Sequence, residues 1–498
     1  MQQRSLLPCV RAWPRLGLAQ AGPGDQAARR PGFVESILTT RFLEQLADGH
    51  EDRVLEEAIL RQEGVPVTPA ELRARIPRIP PEQNAAVEYR KLAVVFEKAP
   101  DLDIGVISTP PPTAPGGPGA PPAVRFSAGP SPRGLNDYTQ SDWDSARRAF
   151  RRHGDIVALI HRAALKPGCF FDRRWEDGTE MKFPEVPIMR RCERVLELES
   201  LLLARDGHVE EAVRTQALGF RIARHAGSDP CLLGHLVGLV CDSIALAGMN
   251  RILRMKGTDG RVAQAVRDVV ARERLDSDPS RAMWGEIVMM GVTIDRFKAR
   301  PSLTLSLASD GGSPSDSEAR ILDSPLIRPL MGRFLDASFA VILRWDRMLL
   351  LSLQEPTYLE QRAERRLQHL DNMNERTASD FNLVSVLAMT VVPVYTQSFA
   401  NDAKMNARRQ VLVAATAVLA FRVRHGAYPA NLAQAAPHTI DPFSDGPLRY
   451  RREGSGFVVY SIGEAGKFTG ERGAQMSQAE RRQNLFFRYP EEHTRNGT

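Results

Sequence analysis

Residues 408–426 read RRQVLVAATAVLAFRVRHG, and this stretch decides the fold. Leu412, Ala415, Leu419 and Val423 recur at helical spacing, and Val411, Val418 and Phe421 widen that stripe until most of the circumference is apolar. A helix apolar on most sides belongs inside a core, so a substantial body must surround it. Arg422, Arg424 and His425 fall in the last turn, where cations complement the macrodipole, and Gly426 stands at the expected C-cap. Pro429 blocks continuation, and Leu432 offers a short apolar return.

Past that exit the period changes. Residues 441–463, DPFSDGPLRYRREGSGFVVYSIG, open with Asp441-Pro442-Phe443, a turn in which the Asp can bond nearby backbone amides. PLRYRR and FVVYSI then alternate with period two across EGSG, which predicts a β-hairpin with Leu448 and Tyr450 on one face and Arg449 and Arg451 on the other. Helix and hairpin should pack together, with Tyr450, Phe457 or Val459 against Leu412, Leu419 or Val423. The expected roles are structural: Asp441 for a turn, Gly446 and Gly456 for backbone freedom, Tyr450 and Tyr460 for packing.

Towards the N-terminus the chain reads as helical for hundreds of residues. Helical patterns span Thr39 to Gly64, Asn84 to Lys98 and Asp142 to Leu165, the last with Trp143, Ala146, Phe150, Ile156, Val157 and Ile160 on one face. A pattern that stops at Asp206-Gly207 and restarts at once predicts an αα-hairpin, similar to a single tetratricopeptide unit over 190–225. Further patterns cover residues 229–253, Arg261–Arg274, Trp284–Phe297, Phe334–Ser352, Tyr358–Met373 and Ala378–His425. Nine prolines and five glycines between Pro110 and Gly134 mark a linker, and residues 306–319 mark a Ser/Gly/Asp-rich loop. The expected organisation is a disordered N-terminus (1–36), an N-terminal helical segment (37–107), the linker (108–134), a helical body (135–375), the long helix with its hairpin module (376–470) and a tail (471–498). The fold class is mainly α, with a small C-terminal α+β module.

At 498 residues a large core is affordable without disulfides, and five irregularly spaced cysteines argue against a disulfide framework. The net charge of +6 arises from 66 basic and 60 acidic residues in scattered pairs, with no aromatic-interleaved basic stripe, so no nucleic-acid partner is expected. Arg11, Pro14 and Arg15 break any signal-peptide core. Phe381–Ala400 lacks charges but carries too many polar residues for a membrane span, and reads as a buried helix kinked at Pro393.

Chemistry-bearing groups are few. His153 and His161, taken as one helix, stand about 12 Å apart, too far to share a metal. Cys231 and His235 are one turn apart, while Cys241 sits nearly three turns from Cys231, so a zinc site needs ligands from elsewhere. Cys169 is the most tempting isolated nucleophile, with His161 upstream and Asp172 nearby, yet no protease or nucleophile-elbow signature surrounds it. No phosphate-binding loop occurs. No catalytic, cofactor or metal residue is assigned.

Residues 406–470 resemble the globular part of type II secretion pseudopilins. The matching positions are Gly426, Tyr428, Pro429, Leu432, Asp441, Pro442, Phe443, Gly446, Pro447, Tyr450, Gly456, Tyr460, Ser461 and Gly463. The whole chain is also similar to large planctomycete-type bacterial proteins that join a helical body to such a tail. Departures matter: Gly32-Phe33-Val34-Glu35 has its glutamate at the third position and is followed by Arg41 and Glu44, so a processed pilin subunit is not expected. The resemblance implies acidic calcium ligands after the S-x-G, where only Glu464 and Glu471 remain, so calcium is not expected either. What the resemblance implies is an envelope- or assembly-associated interaction protein with an unidentified protein partner and possible membrane association. The alternatives are a hydrolase or metal-dependent enzyme with a site inside the body, and a cytosolic tetratricopeptide-like adaptor.

Overall fold

The computed structural model describes residues 40–99, 102, 139–256, 259–273, 278–304, 316–367, 386–468 and 485–490. The N-terminal 1–36 region, the Pro/Gly linker, most of the 306–319 loop, the side chain of Pro393 and Glu471 lie outside the described residues.

The chain is mainly α with a small C-terminal α+β module. Its helices are α1 (Thr40–Gln62), α2 (Pro69–Arg75), α3 (Ala85–Val95), α4 (Gln140–Arg152), α5 (Gly154–Leu165), α6 (Val186–Arg205) and α7 (Val209–Ala226). These are followed by α8 (Leu232–Lys256), α9 (Gly260–Arg272), α10 (Pro279–Ala299), α11 (Asp316–Leu322), α12 (Ile327–Ser352), α13 (Tyr358–Leu367) and α14 (Val386–His425). The strands are β1 (Ile440–Asp441), β2 (Gly446–Pro447), β3 (Arg449–Glu453), β4 (Gly456–Ser461) and β5 (Leu485–Tyr489). β1 pairs with β2, and β3-β4-β5 form an antiparallel sheet with β4 central.

The predicted αα-hairpin is α6–α7, closed by Gly207 at φ +93°. Helix α8 packs against both, making a three-helix layer. Among the described residues α8 is the helix long and apolar enough to cross a membrane, and it is largely buried here, as a core helix would be. α14 crosses this layer: Leu412, Val418 and Leu419 share one core with Leu246, Met249 and Ile252 of α8 and Val262 and Val266 of α9. Arg409 fastens the crossing, donating to Val270 O at 2.6 Å, Glu273 O at 2.7 Å and Asp242 Oδ1 at 2.6 Å.

Three expectations change. The pattern from Asp142 to Leu165 is two helices, because His153 caps α4 at φ −115°, ψ 32° and α5 starts afresh at Gly154. The 37–107 segment is not a separate N-terminal part: α1 lies along α12, Leu60, Val65 and Val67 join the main core, and α3 packs on α5. Asn84 seals that joint, its Nδ2 donating to Phe170 O at 2.9 Å while its Oδ1 accepts from Phe170 N at 2.9 Å. The module does not end near 470 either, since β5 comes from the expected tail and supplies Phe487 to the core. A strand separated from its neighbour by 23 residues leaves no local periodic signal of its pairing.

Candidate functional site

The C-terminal motif residues do converge, and each has a mechanical task. Buried Asp441 accepts from Phe443 N at 3.1 Å, Ser461 Oγ at 2.7 Å and Ile462 N at 2.9 Å, so one carboxylate closes its own turn and ties it to the end of β4. Ser461 Oγ in turn accepts from Gly463 N, and Gly463 takes φ +63°. Pro442 follows Asp441 inside this closed turn, and Phe443 packs edge-on to Tyr358 of α13. Tyr450 OH donates to Pro429 O at 3.0 Å, which holds the helix exit against β3. Tyr428 packs on Phe457, and Tyr460 stacks on Phe468 at 4.1 Å.

The glycines act differently from expectation. The left-handed position in the DPFSDG turn is Asp445, at φ +49°, and Gly446 needs no special backbone. Gly456 is required by β5: a Cβ there would stand 1.9 Å from Tyr489 O. Of the expected apolar contacts, Phe457 and Val459 share one core with Leu412 and Leu419, whereas Val423 is exposed and faces Gly260. Glu464, expected as a remnant calcium ligand, pairs with Lys404 at 2.9 Å.

Cys169, Cys231, His235 and Cys241 are built into the interior, while His153 and His161 are half-exposed. Burial, then the carboxylates of Asp229 and Glu185, push the buried Cys169 thiol well above its ordinary value, opposite to what a nucleophile requires. Its carbonyl accepts from Ser228 Oγ at 2.9 Å. His161 pairs with Glu199 at 2.7 Å, and His235 with Asp402 of α14 at 2.8 Å. Cys231 and Cys241 are core side chains. Among the described residues no group of three or more His, Cys, Asp and Glu side chains is placed to hold a metal ion.

His225 was not singled out by sequence. Its ring spans Tyr89 OH at 2.9 Å and Lys166 O at 3.0 Å; a carbonyl can only accept, so Nε2 carries the hydrogen and Nδ1 accepts from the phenol. Burial holds this histidine at about 4, against partial relief from the Lys166 carbonyl. The unfolded chain therefore binds the extra proton between pH 6.5 and 4 while the native chain does not, so stability present above pH 6.5 falls as pH drops through that window. We expect unfolding free energy to fall by about 3 kcal/mol more between pH 7 and pH 4 in the native chain than in His225→Asn. Denaturant titrations at the two pH values check this, and equal losses would contradict it.

A surface cleft of about 500 Å³ is lined by Ala47, His50 and Glu51 of α1, Lys298 of α10, and Arg328, Pro329, Gly332, Arg333 and Asp336 of α12. Asp336 sits at its floor, accepting from Lys298 at 2.6 and 2.7 Å and from Arg53 at 2.9 Å. His50 Nδ1 lies 3.3 Å from the same carboxylate. Burial would raise this carboxyl, but Lys298 and Arg53 outweigh it and hold it below its ordinary value. Arg53 is shared further with Asp295 at 2.6 Å and Glu57 at 2.8 Å. Asp336 is thus saturated by cations, Glu51 is the cleft's other acid, and Arg328 also acts on the carboxylate of Asp323.

No protein-family model, curated protein or solved structure matches the chain. Its function therefore rests on this chain's own geometry. The cleft residues come from three helices that are distant in sequence, and although those of α12 share one face, no local spacing announces that α1 and α10 meet that face. Arg328-Pro329 and Arg333 stood in the run before Phe334 with nothing to distinguish them from solvated cations.

Proposed function

We propose that this chain is a non-enzymatic bacterial envelope- or assembly-associated scaffold, with the helical body as interaction surface and the C-terminal module held on that body. What supports the reading most is the shared helix α14. One part of it is fixed to α8 and α9 through Arg409 and the common core, and its exit carries β4 and β5 through Phe457, Val459 and Phe487. The module resembles the globular part of a pseudopilin, so a partner that recognises such a surface would find it rigidly presented. The tetratricopeptide-like adaptor has less support, because buried α8 fills the space beside α6–α7 where a peptide groove would lie. The hydrolase reading has less too, with Cys169 and His235 committed inside the core.

A tagged chain expressed in its native host should co-fractionate with the membrane or run in an assembly larger than the monomer. Recovery solely as a soluble monomer would overturn the scaffold reading.

A further inference from the structure

Where α8 begins, two carboxyl groups meet without a cation between them. Glu286 of α10 accepts from Leu232 N, the first amide of α8, at 2.9 Å. Asp346 of α12 is 1% exposed, and its Oδ1 has no hydrogen-bond partner among the described residues. Among those residues the charged group that acts on Asp346 is Glu286, and no cation acts on either carboxyl.

The joint around them is close-packed. A Cβ on Gly285, the residue before Glu286, would stand 2.1 Å from Pro230 O, so the backbone of α10 abuts the chain that enters α8. Cys231 is fully buried there, in one cluster with Val288 and Met289 of α10 and with Trp175. Asp346 lies in the same stripe of α12 as Leu343 and Leu350, which share the main core with Ile287 of α10 and Leu232 of α8.

The charges on the surrounding elements are committed elsewhere. Asp229, before α8, pairs with Arg173, His235 of α8 with Asp402 of α14, and Glu56 of α1 with Arg344 and Arg347 of α12. Glu176 and Glu180, in the segment that packs on α10, pair with Arg73 of α2 and Arg296 of α10. Arg365 of α13 lies against the rings of Tyr358 and Phe399. Burial, then Asp229 and Glu286, push the Cys231 thiol up, so it is neutral as well.

A carboxylate in such a place has no counter-charge, so the proton stays on. Burial pushes Glu286 up to about 7, against the opposing pull of the Leu232 amide. Burial, then Glu286, hold Asp346 well above the ordinary carboxyl range. Opening the joint returns both groups to water and to their ordinary values. The closed joint therefore binds protons that the open one releases, so its stability is full below pH 4.5 and is lost as pH rises through about 7. The sign is opposite to that of His225.

We propose that Glu286 and Asp346 form a proton-operated latch: protons on the pair lock the first turn of α8 to α10 and α12, and their loss releases it. Glu286 retains some exposure while Asp346 is sealed, so Glu286 is the port through which protons exchange with solvent. The latch does not use the C-terminal module, so it stands or falls separately from the scaffold reading.

The test is amide hydrogen exchange by mass spectrometry on the full chain at pH 5, 6.5 and 8, read as protection factors corrected for the intrinsic pH dependence of exchange. Protection over residues 229–240 should fall at least about fifty-fold from pH 5 to pH 8, as a carboxyl at about 7 when closed and 4.5 when open requires, while α9 keeps its protection. Glu286→Gln/Asp346→Asn keeps the shapes and removes the titration, so the pH dependence should vanish. Should that variant fail to fold, the native chain still decides, because infrared difference spectra should show a protonated-carboxyl band lost with a midpoint near 7, in step with the protection. Protection that does not change with pH, a pH dependence undiminished in the folded double variant, or a carboxyl band unchanged across the transition would each overturn the proposal.

Discussion

Arg409→Met is expected to destabilise the chain by about 3–5 kcal/mol, because removing one partner of a buried ion pair leaves the other charged and uncompensated. The partner is Asp242 on α8, 2.6 Å from Nη2 and itself buried. The same guanidinium also satisfies Val270 O and Glu273 O at the C-terminal end of α9, where helix carbonyls lack intrahelical donors, and lies 5.0 Å over the Phe220 ring of α7. One side chain on α14 therefore holds three other helices. Denaturant unfolding of the variant should show the loss, and Arg409→Met/Asp242→Asn should recover part of it because the stranded charge is gone. A midpoint unchanged from the native chain would show that α14 does not depend on this contact.

Asp441→Ala should cost about 3–5 kcal/mol, the sum expected when buried donors are left without an acceptor. Three donors converge on that carboxylate, and it is fully buried, so water cannot replace it without opening the turn. The loss should be local at first: amide exchange of β4 and of Ile462 should accelerate while that of α7 and α8 stays slow. Asp441→Asn keeps one acceptor and should fall between the two. Exchange in β4 indistinguishable from the native chain would remove Asp441 from the role of keystone.

These two residues sit at opposite ends of what the sequence makes legible. Asp441 announces itself, because turn chemistry is local: Asp-Pro-Phe, a following glycine and an alternating segment all lie within a few residues. Its second task, holding Ser461 and Ile462, needed the fold to bring position 461 back beside 441. Arg409 announces nothing, since an arginine inside an apolar helix could as well point to solvent. What makes it a fastener is the convergence of Asp242 and the end of α9, 136 to 167 residues away in sequence.

The cleft shows the same limit more sharply. Lys298, Asp336 and Arg53 come from α10, α12 and α1, and 283 residues separate Arg53 from Asp336. Each reads in sequence as a charge on a helix face. Only the packing of α1 along α12 makes them a network.

The sequence by itself determined the mainly helical class, the αα-hairpin at Asp206-Gly207, the helix exit at Gly426 and the β-hairpin that follows, because periodicity, caps and turn residues act over a few positions. The tertiary structure alone decided that the N-terminal helices belong to the body, that α4 and α5 are two helices, and that β5 completes the sheet and forces Gly456. It also decided which charged side chains among the described residues are buried partners, as Arg409 and Asp242 are. The physical reason is the same in each case: burial and long-range pairing depend on which surfaces meet, and a local pattern records only that a surface is apolar or charged, not what it will face.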